Sequence, residues 1–350
     1  MNILLYVVAV AGMFLLLIAP HEAGHFAFAK LFKLRVIEFS IGAGAKVWSF
    51  TRGGTLYALR ALPILGYVRM GGMEAGDFED PNGFHRKPAL QRILILFGGP
   101  LANFLVAIIV VTGFNLTQLN TDPGKVVGVV KDSPAAAAGF QAGDRLLTVN
   151  GKTITSPDQI RQEETAAPGA PLLITGVHAN GQSFQYSVVP KCQGTSCQVG
   201  FGIRRILTPQ TAVVDGASFP VVAIGSLVQG LSQLVSGQVP GGLLGPSGLT
   251  GPIGIADVTL SSVNQGVANY LLLVALLSVA LGFTNLLPLL ALDGGRIVVV
   301  IVEVLRRRPF DRGMELNIQR WGLVALLALA ALISFLDIQR IVTGQFPGVH

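Results

Sequence analysis

Charged side chains are scarce in this sequence. Asp, Glu, Lys and Arg make up only 13% of its 350 residues, and 51% are hydrophobic, whereas soluble domains carry about 25% charged residues. This composition excludes an ordinary soluble globular protein and indicates a membrane protein. The formal net charge of +6 does not indicate a nucleic-acid-binding protein, because the basic residues are spread over several loops and are not clustered with aromatic residues that could stack on bases.

Cysteine is almost absent as well, with only Cys192 and Cys197 present. Both lie in a stretch that the charge distribution assigns to the outer side of the membrane, where an oxidising compartment allows disulfides. The two residues could close a small disulfide loop. Two free thiols are the alternative, and the sequence leaves both open.

Lysine and arginine are absent before Lys30. The first apolar stretch therefore lacks the basic region of a signal peptide, and no small-residue cleavage site follows it. We expect this stretch to remain in the mature protein.

Four apolar blocks dominate the sequence, and they lie at residues 3–28, 93–114, 267–291 and 321–336. A membrane-spanning helix needs about 20 mostly apolar residues, with about 17 as the lower limit. The first three blocks meet this length and the fourth is marginal. The sequence therefore predicts a polytopic α-helical membrane protein with about four transmembrane helices.

The loops between the blocks differ in charge. Residues 30–92 hold ten Lys/Arg against five Asp/Glu, whereas residues 115–266 hold eight of each. Residues 296–320 contain six arginines. Because basic loops stay in the cytoplasm, we expect residues 30–92 and 296–320 inside, and both termini and residues 115–266 outside.

Two loops have patterns of their own. Residues 35–75 alternate apolar and small residues between glycine turns, which indicates β-hairpins with Arg52-Gly53-Gly54 as one turn. Strands cannot cross lipid in the open, so we expect them at the membrane surface or against the helices. Residues 125–205 have the composition of one small soluble domain, and residues 218–240 indicate a helix lying on the outer membrane surface.

The first block contains the sequence H-E-x-x-H, formed by His21, Glu22 and His25. On a helix the two histidines share a face and can bind one metal ion, with the glutamate beside it, as in zinc hydrolases. The alternative is a pair of helix histidines that bond to neighbouring backbone groups. Three ionisable groups inside a span are costly and usually mark function, so the pattern favours a metal site.

A catalytic zinc ion needs a third protein ligand, and the candidate is Asp293 at the end of the third block. With the predicted topology, the first and third spans both run inward, so His21 and Asp293 reach the same depth near the cytoplasmic side. Asn285 and Pro288 interrupt the third span, and broken helices are tolerated where they line a cavity. The alternative is an ion pair between Asp293 and Arg296, three positions on.

The motifs together resemble the site-2 proteases, specifically the bacterial regulator-of-sigma-E type. They are HEAGH at 21–25, FGGPLANF at 97–104 and NLLPLLALDGG at 285–295, in three spans and in the family's order. The resemblance implies one zinc ion per chain, held by His21, His25 and Asp293. It also implies that Glu22 is the catalytic residue and that Asn285 positions the substrate.

The middle domain resembles a bacterial, circularly permuted PDZ domain through residues 125–154. PDZ domains bind extended peptides by strand addition, and the alternative is a spacer or size filter that binds nothing specific. The best-known family members carry two PDZ domains, whereas this chain has room for one.

The predicted organisation is 1–31 first span, 32–92 cytoplasmic-side β-hairpin region, 93–115 second span, 123–205 extracytoplasmic PDZ domain, 206–266 interfacial helix and Gly/Pro-rich loop, 267–296 third span, 297–320 cytoplasmic loop, 321–337 fourth span and 338–350 tail.

The sequence therefore predicts a zinc-dependent intramembrane endoprotease in a bacterial inner membrane. The resemblance implies substrates with a single span, such as membrane-anchored anti-sigma factors or remnant signal peptides, cleaved in regulated intramembrane proteolysis. The strands at 55–70 could receive an unwound substrate segment as an added strand. Two alternatives are a metal-dependent transporter, which should show inverted repeats, and a PDZ-bearing membrane scaffold without proteolytic activity.

Overall fold

The computed structural model of this chain contains two compact units, residues 1–111 with 216–350, and residues 112–215. It describes residues 3–193, 196–239, 241–242, 245, 248–289 and 291–344. Within them, the helices are α1 (Ile3–Leu31), α2 (Ala89–Thr117), α3 (Pro134–Ala138), α4 (Asp158–Ala166), α5 (Pro209–Val235), α6 (Pro252–Asn264), α7 (Val267–Leu286), α8 (Asp293–Arg306) and α9 (Arg312–Val342). The strands are β1 (Val36–Arg52), β2 (Thr55–Met70), β3 (Val126–Val129), β4 (Arg145–Val149), β5 (Lys152–Thr153), β6 (Leu172–Val177), β7 (Ser183–Val188), β8 (Lys191–Gln193), β9 (Ser196–Gln198) and β10 (Phe201–Ile203).

Within the described residues, five helices are long and apolar enough to cross a membrane: α1, α2, α5, α7 and α9. Their apolar side chains suit lipid, and a helix satisfies its own backbone hydrogen bonds there. The fifth candidate, α5, occupies the segment for which the sequence predicts an interfacial helix. Helix α9 begins before the predicted fourth span, because the Asp311 side chain accepts a hydrogen bond from the Met314 amide and caps it. Part of the predicted 338–350 tail lies outside the described residues.

Helices α1 and α7 run in the same direction. The Tyr270 hydroxyl, in the first turn of α7, donates a hydrogen bond of 3.0 Å to the carbonyl oxygen of Ala9 near the start of α1. Met13 and Leu17 of α1 pack with Val274 of α7 in one buried cluster. The end of α7 therefore lies at the level of the second half of α1. Helix α1 itself continues through Pro20, although proline removes one hydrogen bond from the ladder.

Strands β1 and β2 form a hairpin within residues 32–92, where the sequence predicts one. Its turn lies at Gly53 and Gly54, which both have positive φ angles, of 57° and 74°, as a tight hairpin turn requires. Residues 38–41 of β1 face residues 66–69 on one side and residues 56–59 on the other. Each strand therefore contributes two segments to one folded sheet.

The second unit is an α+β domain. Its largest sheet has the strand order β5-β4-β6-β7, and β10 pairs with β3, and β8 with β9, in separate ladders. A buried apolar cluster that includes Val126, Leu146, Ile160 and Ile174 forms its core. Alternating burial along β6 shows that one face of the sheet packs on this core.

Candidate metal centre

The two histidines of the H-E-x-x-H sequence lie on one face of α1. Residues four apart in an α-helix are one turn apart, and the Nε2 atoms of His21 and His25 are 3.2 Å from each other. Both residues are buried, with relative exposures of 7% and 6%. Local helical geometry therefore brings two imidazole nitrogens to one point.

Asp293 completes a triangle of ligand atoms. It is the first residue of α8, and its Oδ2 atom lies 3.2 Å from the Nε2 atoms of both His21 and His25. Zinc binds nitrogen at about 2.0–2.1 Å, so two tetrahedral ligands are separated by roughly 3.3 Å. The three atoms therefore fit one tetrahedral zinc ion and leave its fourth position open. Arg296, the alternative partner of Asp293, donates to Oε1 of Gln319 instead.

Gly99 of α2 leaves room beside these ligand atoms. A Cβ atom built on Gly99 would collide with Nε2 of His25 and would lie 2.8 Å from Cε1 of His21. Any larger residue at this position would occupy space next to the nitrogens that face Asp293. Glycine at position 99 therefore leaves space for the two imidazole rings at this point.

The outer ring nitrogen of His25 is held by the backbone of α2. Its Nδ1 atom lies 2.8 Å from the carbonyl oxygen of Ile95, so Nδ1–H donates this bond and Nε2 is left with its lone pair free. Histidines that bind metals usually have such a partner, which orients the ring and sets its tautomer.

Asn103 of α2 is the corresponding neighbour of His21. The Asn103 side chain is fully buried, and its Nδ2 atom lies 3.5 Å from Nδ1 of His21, while its Oδ1 atom has no partner among the described residues. The two orientations of an amide differ only by exchange of oxygen and nitrogen. In the alternative orientation His21 Nδ1–H donates to Oδ1, and both of these atoms then have a partner.

Known proteins share this sequence over nearly its full length. The family model described as Peptidase family M50 matches residues 9–329. The chain belongs to peptidase family M50.

Relatives of this M50 protein are named as zinc metalloproteases. Zinc metalloprotease RasP of Bacillus licheniformis is 28% identical over 96% of this chain and 99% of its own length. RasP of Oceanobacillus iheyensis is also 28% identical, over 96% of this chain and 99% of its own length. A Fusobacterium nucleatum protein, whose name likewise assigns it to the zinc metalloproteases, is 33% identical over 93% of this chain and 96% of its own length.

The M50 protein is therefore a zinc metallopeptidase, as the sequence predicts. Its long apolar helices embed it in a membrane. Within the described residues, His21, His25 and Asp293 are the one group of three His, Cys, Asp or Glu side chains that could hold a metal ion.

Glu22 of the M50 protein lies beside these ligands and contacts β2. Its carboxylate faces the backbone of Val68 in β2. A Cβ atom built on Gly66 would lie 3.0 Å from Cγ of Glu22 and 2.8 Å from Cγ2 of Ile18. Glycine at position 66 therefore lets β2 pack against α1 at Glu22. Glu22 as a whole residue is partly buried.

Asn285 and Asp293 lie on either side of the break between α7 and α8. A Cβ atom built on Gly294 would collide with the carbonyl oxygens of Leu286 and Leu287, so glycine allows α8 to begin directly against the end of α7. Asn285 is in the last turn of α7 and is partly buried. Among the described residues, no hydrogen-bond partner of its side chain is found, so the structure does not link this predicted site residue to the others.

Sequence reasoning assigned no role to Gly99 or Asn103, although both lie in the FGGPLANF stretch. The sequence contains a feature that points to each of these two residues. A buried asparagine in an apolar span is costly and usually functional, and a pair of glycines allows two membrane helices to approach closely.

Cys192 and Cys197 are joined by a disulfide bond in the structure. They face each other across the β8–β9 ladder. Of the two alternatives that the sequence leaves open, the structure therefore has the bridged form.

Proposed function

We propose that this M50 metallopeptidase cleaves the transmembrane segments of single-span membrane proteins inside the bilayer. The observation that carries the proposal is that His21, Glu22 and His25 lie in a helix apolar enough to span a membrane, and that Asp293, the first residue of α8, meets both histidines. Zinc held there would lower the pKa of a water molecule from 15.7 toward roughly 7 and polarise the carbonyl group of the scissile peptide. Substrates of this class include anti-sigma-factor-like proteins and remnant signal peptides.

Glu22 acts as the general base in this mechanism. It is the free carboxylate closest in sequence to the histidine pair, and it takes a proton from the attacking water and delivers it to the nitrogen of the leaving amine. Strand β2 packs against the Glu22 side chain at Gly66. Ile95 and Asn103 orient the two imidazole rings through their outer nitrogens.

A transmembrane helix hides its peptide bonds, so the substrate must unwind locally before cleavage. Residues 56–59 of β2 have neighbours on both sides in the folded sheet, whereas residues 66–69 have only residues 38–41 as a partner among the described residues. The edge next to Glu22 is therefore the segment 66–69, and it is the place where an unwound substrate can add as a strand. Asn285 holds another part of the substrate backbone. Proline substitutions within 66–69 should impair cleavage of a helical substrate more than substitutions at 46–52.

The proposed topology has four crossings, with the N-terminus and residues 123–205 outside the cytoplasm of a bacterial cell. Helices α1 and α7 run in the same direction, so an odd number of crossings separates them. Helix α2 supplies one, so the residues from 118 to 266 make no net crossing. This supports the assignment of α5 to the outer half of the membrane, although α5 is long enough to span it. The α+β unit in this stretch is proposed to be a single PDZ-type domain.

One experiment tests the function. Zinc content is measured in purified parent protein and in Glu22→Gln, together with cleavage of a labelled single-span substrate in vesicles. The proposal expects bound zinc in both proteins and cleavage by the parent alone. Equal cleavage by the two proteins would exclude the role of Glu22, and bound zinc without cleavage by the parent would contradict proteolysis of this substrate class.

A further inference from the structure

Ser278 of α7 has a fully buried hydroxyl group. Its relative exposure is 0%, and its Oγ atom has no hydrogen-bond partner among the described residues. A serine in a helix can donate to a carbonyl oxygen of the preceding turn, as Ser226 of α5 does to the carbonyl oxygen of Val222 at 3.1 Å. Ser278 does not form this bond. A buried polar group without a partner is costly, so the Ser278 hydroxyl group needs a partner from another helix.

Ser278 lies on the side of α7 that faces the junction of α1 and α2. Val274 of α7 packs in one buried cluster with residues of α1, and Ala275 packs in another with residues of α2. Because each residue of an α-helix turns by about 100°, Ser278 lies about 40° from Val274 and about 60° from Ala275, on the arc between them. Its side chain is therefore at the place where α1, α2 and α7 meet.

Helices α2 and α7 run in opposite directions at this junction. A Cβ atom built on Gly282 would lie 3.1 Å from the carbonyl oxygen of Pro100, and Ala107 and Ala275 belong to the same buried cluster. Because residue numbers rise in opposite directions along the two helices, position 103 of α2 comes level with position 279 of α7.

Asn103 is therefore a buried polar side chain at nearly the same level as Ser278. The two residues are separated by about one residue, or about 1.5 Å, along the helix axes. Asn103 is fully buried, and its amide contacts His21 of α1 on one side. Its Oδ1 atom, like Oγ of Ser278, has no partner within the described part of the chain. Two unsatisfied polar groups thus occupy one level of the same three-helix junction.

Zinc binding by His21 requires one orientation of the Asn103 amide. Nε2 of His21 faces Asp293 and must keep its lone pair for the ion, so Nδ1 carries the hydrogen. An Nδ1–H group needs an acceptor, which is Oδ1 of Asn103 and not Nδ2. Nδ2–H then points away from His21 and needs an acceptor of its own. The Ser278 hydroxyl group lies at the level where that acceptor is required.

We propose that Ser278 is a positioning residue for the metal centre. Its hydroxyl oxygen accepts a hydrogen bond from Nδ2–H of Asn103, directly or through one buried water molecule, and so fixes the amide orientation that His21 needs. Without this acceptor the amide can turn, and Nδ2–H then donates to Nδ1 of His21. The imidazole hydrogen would move to Nε2, where it excludes the ion. This role rests on zinc ligation by His21, which is part of the proposed function.

The test measures zinc affinity by competition with a chelator, at constant pH, in the purified full-length protein in detergent. Ser278→Ala removes the acceptor, and Ser278→Cys keeps most of the volume but is only a weak acceptor. Ser226→Ala is the control for loss of a hydroxyl group that bonds to its own helix. Ser278→Ala is also combined with Asn103→Leu. The thermal unfolding midpoint of each metal-free protein shows that the variant is folded.

Ser278→Ala and Ser278→Cys should weaken zinc binding about tenfold, whereas Ser226→Ala should bind zinc as the parent does. In the Asn103→Leu protein, Ser278→Ala should cause no further loss, because the amide through which Ser278 acts is gone. A structural role independent of Asn103 would instead add its own loss to that of Asn103→Leu.

Parent-like zinc affinity in folded Ser278→Ala would overturn the role of Ser278, and so would a full additional loss of affinity in the double variant. Both results leave the proposed function intact, because the parent still binds zinc. Absence of zinc from the parent would instead contradict the ligand set of the proposed function, and the role of Ser278 with it.

Discussion

The backbone of Gly98 in α2 touches the backbone of Gly24 in α1. A Cβ atom built on Gly98 would lie 2.7 Å from the carbonyl oxygen of Gly24, closer than real Cβ contacts. Gly24 lies between the two histidines in sequence, and Gly98 precedes Gly99, which flanks their ligand nitrogens. The two helices cross at van der Waals distance here, because small residues allow membrane helices to approach closely.

Alanine at position 98 should separate the two helices and disturb the metal centre. Over-packing of this kind costs about 1–3 kcal/mol, so we expect Gly98→Ala to lower both the thermal unfolding midpoint in detergent and the zinc content. The matched control is Gly113→Ala in the same helix, where an added Cβ meets nothing within 4 Å. A Gly98→Ala protein with the zinc content and unfolding midpoint of Gly113→Ala would contradict the close crossing.

Replacement of Asn103 should weaken zinc binding without removal of a ligand. Loss of a partner to the outer nitrogen of a metal-binding histidine typically costs about 10–100-fold in metal affinity, and Asn103→Leu removes the partner of His21 Nδ1. Asn103→Asp keeps an acceptor oxygen at this position and should retain tighter binding than Asn103→Leu. Zinc affinity is measured by competition with a chelator, and equal affinity in the two variants would argue against the bond to His21.

Glu303 is the centre of a buried charge cluster. Its Oε2 atom lies 2.7 Å from Nη1 of Arg92, and its Oε1 atom lies 2.6 Å from Nη1 of Arg312. Removal of one partner from a buried ion pair costs about 3–5 kcal/mol, because the other charge is left unpaired. Glu303→Leu should therefore lower the thermal unfolding midpoint strongly, and the double variant Arg92→Met/Glu303→Leu should recover part of the loss. A double variant no more stable than Glu303→Leu would show that the buried Arg92 charge is not the cause.

His85 should make stability depend on pH. Burial, with the nearby guanidinium groups of Arg312 and Arg92, lowers the pKa of His85 from 6.5 to about 4, despite the opposing effect of Glu303. Between these pH values the unfolded chain binds a proton that the folded protein does not, so the unfolding free energy rises with pH. We expect the unfolding midpoint to fall as pH is lowered from 6.5 toward 4.

The control for this prediction is His85→Phe, which keeps an aromatic ring beside Phe84 and Phe78 but cannot titrate. Its unfolding midpoint should fall less steeply over the same pH interval than that of the parent. Parallel pH profiles for the two proteins would exclude His85 as the titrating group.

The sequence by itself determined those features of this protein that depend only on residues close together in the chain. H-E-x-x-H places two imidazoles on one helical face because the period of an α-helix is local, and apolar runs long enough to span lipid indicate membrane helices wherever they occur. The same local reasoning located the glycine turn of the β1–β2 hairpin. The depth argument also predicted Asp293 at the level of His21, because it has the first and third spans run in the same direction.

Only the tertiary structure decided which residues meet. Equal depth does not require that α1 and α7 lie side by side, and that contact is what brings Asp293 to the histidine pair. The Gly24–Gly98 crossing, the Asn103 neighbour of His21 and the three-helix junction at Ser278 join elements far apart in sequence. Their geometry depends on the packing of whole helices and strands, and no periodicity within one segment encodes it.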